Sequence, residues 1–178
     1  LAAIGKLSVE AFNAHAAAAN RWTGTQLTEE QSAYLAGLPL RIESDDFTMV
    51  HGSPRDPVWE YLVSIGSAVA SFLHFDTYRC LVGHSHISFL CRPMENSAVF
   101  LEFPLDTPVV LGTDRLIINP GGLGQPRDGD PRSSYAIYDS EAGAVLRHRA
   151  EYDIPTTQEK MTRHGLPVYL TERLALGR

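Results

Sequence analysis

Leu81-Val82-Gly83-His84-Ser85-His86 reads as a short apolar strand, predicted over Arg79 to Gly83, that runs straight into two histidines. In extended backbone, positions i and i+2 point to the same side, so His84 and His86 are expected on one rim. Gly83 and Ser85 are small and keep the backbone open to approach. A related arrangement lies upstream: Phe47 to Val50 is apolar, His51 follows at its end, and Gly52-Ser53-Pro54 turns the chain away. In open α/β sheets ligands gather at the carboxyl ends of strands, and imidazole suits zinc, iron and manganese. Three histidines at two strand ends are therefore placed as a metal site would place them. His15, His74, His148 and His164 lack this setting and read as ordinary hydrogen-bonded residues.

Outward from this stretch, the chain changes texture without a linker. Leu1 to Leu40 reads as helical, with Thr28 as N-cap and Gln31 closing a capping box, and a stop near Gly37 and Pro39. Leu40 to Glu43 and Phe47 to His51 read as strands joined by a Ser44-Asp45-Asp46 turn. Asp56-Pro57-Val58-Trp59-Glu60 carries proline in what looks like a first helical turn, and Ile65 to His74 is a second helical candidate. Further strands are expected over Ile87 to Pro93, Ala98 to Phe103, Pro108 to Leu111, Leu116 to Asn119, Ser134 to Tyr138 and Val145 to Tyr152. Thr156-Thr157-Gln158-Glu159 opens a helix ending at Gly165, and Pro167 to Ala175 forms another. Leu166 to Leu176 is apolar enough to pack on the sheet or against a second subunit. The expectation is a sheet-rich α/β fold in a single domain over residues 1–178, without repeats or low-complexity segments.

Composition narrows the function classes. The chain has 178 residues, 44% hydrophobic, and a formal net charge of -6, enough for one domain with a sizeable core. A net-acidic chain does not suit non-specific nucleic-acid binding, which needs clustered Lys and Arg. It remains compatible with a phosphate-bearing substrate if metals supply the positive charge. No apolar run approaches the roughly 20 residues that span a bilayer. Cys80 and Cys91 read as buried free thiols of a cytoplasmic protein.

Three blocks carry a resemblance: VHGSPRDPVWEYL (Val50 to Leu62), LVGHSH (Leu81 to His86) and INPGGLGQPRDGDPRSSYAIYD (Ile118 to Asp139). In this order they resemble the calcineurin-like metallophosphoesterase superfamily, and most closely its small prokaryotic branch near phosphodiesterases and diadenosine-tetraphosphatase-like proteins. The resemblance implies a four-layer α-β-β-α sandwich and a hydrolase with two divalent metal ions of the manganese, iron and zinc group. Such a pair polarises phosphoryl oxygens and generates a hydroxide nucleophile near neutral pH. His51 and His84 would bind one metal and His86 the other. Arg127, Asn119 and Arg55 are the substrate-side candidates; for Arg127 an ion pair with Asp128 or Asp130 is an equal alternative. The implied substrates are phosphomono- or phosphodiesters: a small phosphate ester, a nucleotide or a phosphoprotein.

The departures matter as much. Gly122 stands where the branch usually has serine. The blocks D-x-H, GD-x-x-D and GNH(D/E), which supply the family's carboxylates and amide ligand, do not occur, and the chain opens on Leu1 rather than Met. Two adjacent divalent cations need anionic ligands to offset their repulsion. Asp45, Asp46, Asp56 and Asp76 read as turn residues or caps instead. The expectation is the histidine half of a binuclear site, incomplete on this chain alone. The alternative is a phosphate-binding or partner-binding remnant of the same fold.

Overall fold

A computed structural model of the chain describes residues 1–44 and 46–178. Its contacts divide into two compact units: residues 1–39 with 153–176, and residues 40–152 with 177–178.

The first unit is helical. It holds α1 (Ala14–Gln26), α2 (Glu29–Gly37), α4 (Ile154–Arg163) and α5 (Val168–Glu172), with short 3-10 turns at Ala2–Ile4, Val9–Ala11 and Arg173–Leu176. The capping box forms as expected: Thr28 accepts from the Gln31 backbone, and Gln31 reaches back to the Thr28 N–H. Such caps are worth roughly 1 kcal/mol. The fourth helix begins earlier than its threonines suggest, because Asp153 accepts from Thr156 N at 2.9 Å and proline sits in the first turn. Rings tie the N-terminal helices to the C-terminal segment: His15 stacks on Tyr169 at 5.1 Å, and Trp22 meets His164 at 5.3 Å.

The second unit is a layered sandwich. Strands β1 (Arg41–Glu43), β2 (Phe47–Val50), β3 (Arg79–Leu81), β4 (Phe89–Met94), β5 (Ser97–Leu101) and β7 (Leu116–Asn119) form a six-stranded sheet in the order β1-β2-β3-β7-β4-β5. A second sheet has the order β6-β9-β8, built from β6 (Val109–Val110), β8 (Ser133–Asp139) and β9 (Ala144–Ala150). Helix α3 (Ile65–Ser71) supplies the outer layer. Alternation along the strands sorts the core. Cys80, Val82, Phe89, Cys91 and Ile117 join Ala68 and Phe72 on the α3 side. Leu90, Leu116 and Ile118 join Phe103 and Val145 on the side of the second sheet. Strand β7 is buried at all four positions, as befits a central strand covered on both faces. The expected α/β sandwich is thus the fold observed. Cys80 and Cys91 are free and buried, and burial pushes their thiols up to about 12 and about 11.

Strands β2, β3 and β7 run parallel, with Met49, Leu81 and Ile118 level. Their carboxyl ends therefore open side by side, and His51, Gly83 and Pro120 all follow within two residues. The predicted helix at Asp56–Glu60 is only a turn. Gly52 and Ser53 donate to the carbonyls of Pro57 and Asp56, which takes the acceptors a continuing helix would use. Asp56 Oδ1 instead accepts from Val58 N and Trp59 N. Of the expected hairpin turn, Asp45 lies outside the described residues; Asp46 pairs with Arg79 at 3.3 Å. Among the described residues no helix is long and apolar enough to cross a membrane.

Candidate metal-binding site

The parallel strand ends bring His51 and His84 together. The β2–β3 ladder continues past the strands, with Gly83 N donating to His51 O at 2.9 Å. His51 Nε2 and His84 Nδ1 then stand 2.9 Å apart, with ring centroids at 4.8 Å.

The backbone of the His84–His86 loop is not extended. His84 and His86 both adopt left-handed conformations, φ 56° and 58°, so the strand-like alternation expected of them is overturned. Such non-glycine residues cost roughly 1–3 kcal/mol each and persist only where the surroundings hold them. Asn119 is one of the holders. Fully buried, it donates to Gly83 O and to Ser85 Oγ, both at 3.0 Å, while its Oδ1 accepts from Gly121 N. The side chain expected to face substrate is thus spent on fixing the loop.

The turn reorients the two histidines separately. His86 Nδ1 lies 2.6 Å from Gln125 O, a contact that fixes the tautomer with the lone pair on Nε2. A Cβ at Gly122 would fall 3.0 Å from Cβ and Cγ of His86, so the serine-to-glycine departure gives this ring its room. His84 has a buried Nε2 without a hydrogen-bond partner. Burial, and then the neighbouring His51, His86 and Arg127, hold its pKa down to about 4. Burial lowers His51 as well. Both imidazoles are therefore neutral at neutral pH, the form that binds metal.

The remaining candidates are placed as follows. Arg55 is taken by Glu60, which also accepts from Ser53 Oγ. Arg127 forms neither expected ion pair: its Nη2 donates to Gln125 Oε1 at 3.0 Å and its backbone N to His86 O at 3.1 Å. Asp128 and Asp130 are claimed instead by Arg149 and Arg132. Tyr61 was not singled out from the sequence, yet its ring stacks on His84 with centroids 4.1 Å apart and planes 30° off parallel. His74 and His148 have ordinary partners, Ala70 O and Asp106.

Does the arrangement fit a metal? Two nitrogen ligands about 2.1 Å from one ion would stand about 3 Å apart at the right angle of an octahedral site and about 3.4 Å apart in a tetrahedral one; the observed pair, in hydrogen-bond contact at 2.9 Å, lies just below that range. Neutral imidazoles suit the same role. Yet among the described residues no group of three or more His, Cys, Asp or Glu is assembled to hold an ion. The pair fits as a neutral share of a site and not as a whole one.

No family model matches the chain. It is 36% identical over 181 residues to an uncharacterized protein of Methanocaldococcus jannaschii, an alignment covering 98% of this chain and 71% of that protein. Among solved structures it is similar to a metallophosphoesterase from Sphaerobacter thermophilus, with TM-score 0.86 and 44% identity over 99% of this chain and 73% of that one. A hypothetical protein from Pyrococcus horikoshii shares the fold, with TM-score 0.71 at 21% identity, covering 98% of this chain and 64% of that one.

Proposed function

Because the chain belongs to the metallophosphoesterase family, we propose that it supplies the imidazole share of a two-metal site at which phosphate esters are hydrolysed. The observation that carries this reading is the 2.9 Å approach of His51 Nε2 to His84 Nδ1 beyond adjacent parallel strand ends. Divalent cations, when bound, polarise phosphoryl oxygens and lower the pKa of a water. The chain's own residues hold and orient. His51 and His84 share one ion, and His86 faces the second with its tautomer fixed by Gln125 O. Asn119 pins the loop that carries both. Arg127 brings a positive charge that reaches His84, and a guanidinium suits phosphate oxygens.

The ions are of the manganese, iron and zinc group, and the substrates are phosphomono- or phosphodiesters, nucleotides and phosphoproteins included. Carboxylate ligands must join the histidines to offset the repulsion between two cations. The chain spans 73% and 71% of two relatives, so residues beyond this segment are the place to seek them. A second reading, a phosphate-binding remnant without turnover, is favoured by the lack of a three-ligand cluster among the described residues.

Manganese-dependent hydrolysis of an aryl phosphate separates the two. The segment Leu1–Arg178 is assayed alone and joined to whatever precedes it in its coding sequence. The first reading expects turnover in the longer chain and a loss of about 100-fold or more in His84→Ala, beyond that of an outer-shell change. Undiminished activity in His84→Ala removes the site assignment. Phosphate binding without turnover in the longer chain selects the remnant.

A further inference from the structure

The loop after His51 ends in an aromatic ring on His84, and its construction explains why the ring is held there. Ser53 is fully buried. Its hydroxyl accepts from Asp56 N at 3.0 Å and donates to Glu60. Arg55 closes over the same carboxylate. Gly52 makes the fold-back possible, since a Cβ there would lie 2.6 Å from Asp56 O. On the other side of Tyr61, Leu62 is 2% exposed and packs in the core with Val50, Val82 and Phe89. Tyr61 is thus fixed between a polar clamp and a core anchor, although its own side chain is half-exposed.

His84 needs such support. Its backbone is left-handed, its Nε2 makes no hydrogen bond, and its Nδ1 meets His51 Nε2 at 2.9 Å. Among the described residues no carboxylate or carbonyl oxygen holds this ring in the way Gln125 O holds His86. Two rings remain: His51, edge-on at 63°, and Tyr61, nearly parallel at 30°.

We propose that Tyr61 is a positioning residue that sets the imidazole plane of His84, so that Nδ1 faces His51 Nε2 and both nitrogens meet one cation. The assignment rests on the reading of His51 and His84 as metal ligands. It concerns the flat face of the ring, so the phenolic hydroxyl is dispensable and Phe replaces Tyr without loss.

The test uses Leu1–Arg178 joined to whatever precedes it in its coding sequence, with zinc as the probe, and with cobalt, whose visible bands report coordination geometry. Tyr61→Phe is expected to bind zinc as wild type does. Tyr61→Leu, which keeps apolar bulk and therefore folding, is expected to bind about tenfold more weakly and to shift the cobalt bands, as for other residues that orient a ligand. Nuclear Overhauser contacts between the His51 and His84 rings in the metal-free chain should persist in Tyr61→Phe and disappear in Tyr61→Leu. Unchanged zinc affinity and unchanged ring contacts in a folded Tyr61→Leu would overturn the proposal. Should wild type bind no zinc while the ring contacts respond as expected, the metal reading fails and the positioning of His84 by Tyr61 stands.

Discussion

Two polar clusters in the sheet-containing unit are built on opposite terms. Around Asp128, charge is buried and paired. Arg149 donates to Asp128 at 2.5 Å, to Arg132 O at 2.8 Å and to Asp130 O at 3.2 Å, and Ser88 bridges Asp128 to Arg147. The Arg149 and Asp128 side chains are only 5% and 12% exposed. Around His84, the groups are neutral, the backbone is left-handed, and one buried nitrogen lacks a partner. The first cluster gains from its buried ion pair, although Asp128 Oδ1 and Arg147 Nε keep no hydrogen-bond partner. The second brings two imidazole nitrogens within 2.9 Å of each other, and among the described residues no group of three or more His, Cys, Asp or Glu surrounds them. Stability should therefore depend on the first, and ligand binding on the second.

The strongest way to break that contrast is Arg149→Ala. It leaves Asp128 buried without its cation, and removing one partner of such a pair costs about 3–5 kcal/mol. Urea unfolding should show a loss of that size; a loss below about 1 kcal/mol would place the network among marginal surface pairs. Acid sharpens the same point. The Arg132 hydrogen bonds hold Asp130 down to about 2. Burial acts against the Asp128 charge, but Arg149 and Ser88 outweigh it and keep this carboxyl below its ordinary value. Below about pH 4 the unfolded chain takes up protons that the folded chain refuses. Urea midpoints should accordingly fall as pH drops from about 4 toward about 2, and less steeply in Arg149→Ala.

Smaller effects belong to the histidine side. Gly52→Ala forces a Cβ against the Asp56 carbonyl. It should cost about 1–3 kcal/mol, the range of overpacking, and free the Tyr61 ring from His84, read by loss of their Overhauser contacts. The smallest stability change is expected for His84→Gly. Glycine accepts φ 56° without strain, which offsets the lost ring contacts, so stability should stay within about 1 kcal/mol while metal binding is lost.

The same contrast explains what the sequence revealed. Local patterns suffice where neighbours in sequence decide the outcome. The Leu116–Asn119 run reads as a strand, Thr28 and Gln31 as a capped helix start, and two strand–His junctions mark the rim. Asp56–Glu60 misled because its helix acceptors are captured by Gly52 and Ser53, whose own course is set by the end of β2. The left-handed turns at His84 and His86 depend on Asn119, more than thirty residues away in the chain. Arg127 loses Asp128 to Arg149, which arrives from β9. Tyr61 reaches His84 only because Leu62 is drawn into the core. Each of these outcomes is decided by a tertiary partner, and periodicity carries no trace of it.

Zinc titration of Leu1–Arg178 joined to whatever precedes it in its coding sequence, against its His51→Ala and His84→Ala variants, followed calorimetrically with urea stability measured alongside, tests the central claim most directly. The account predicts that each substitution abolishes or severely weakens binding while leaving stability nearly unchanged. Equal zinc affinity in wild type and both variants would contradict it.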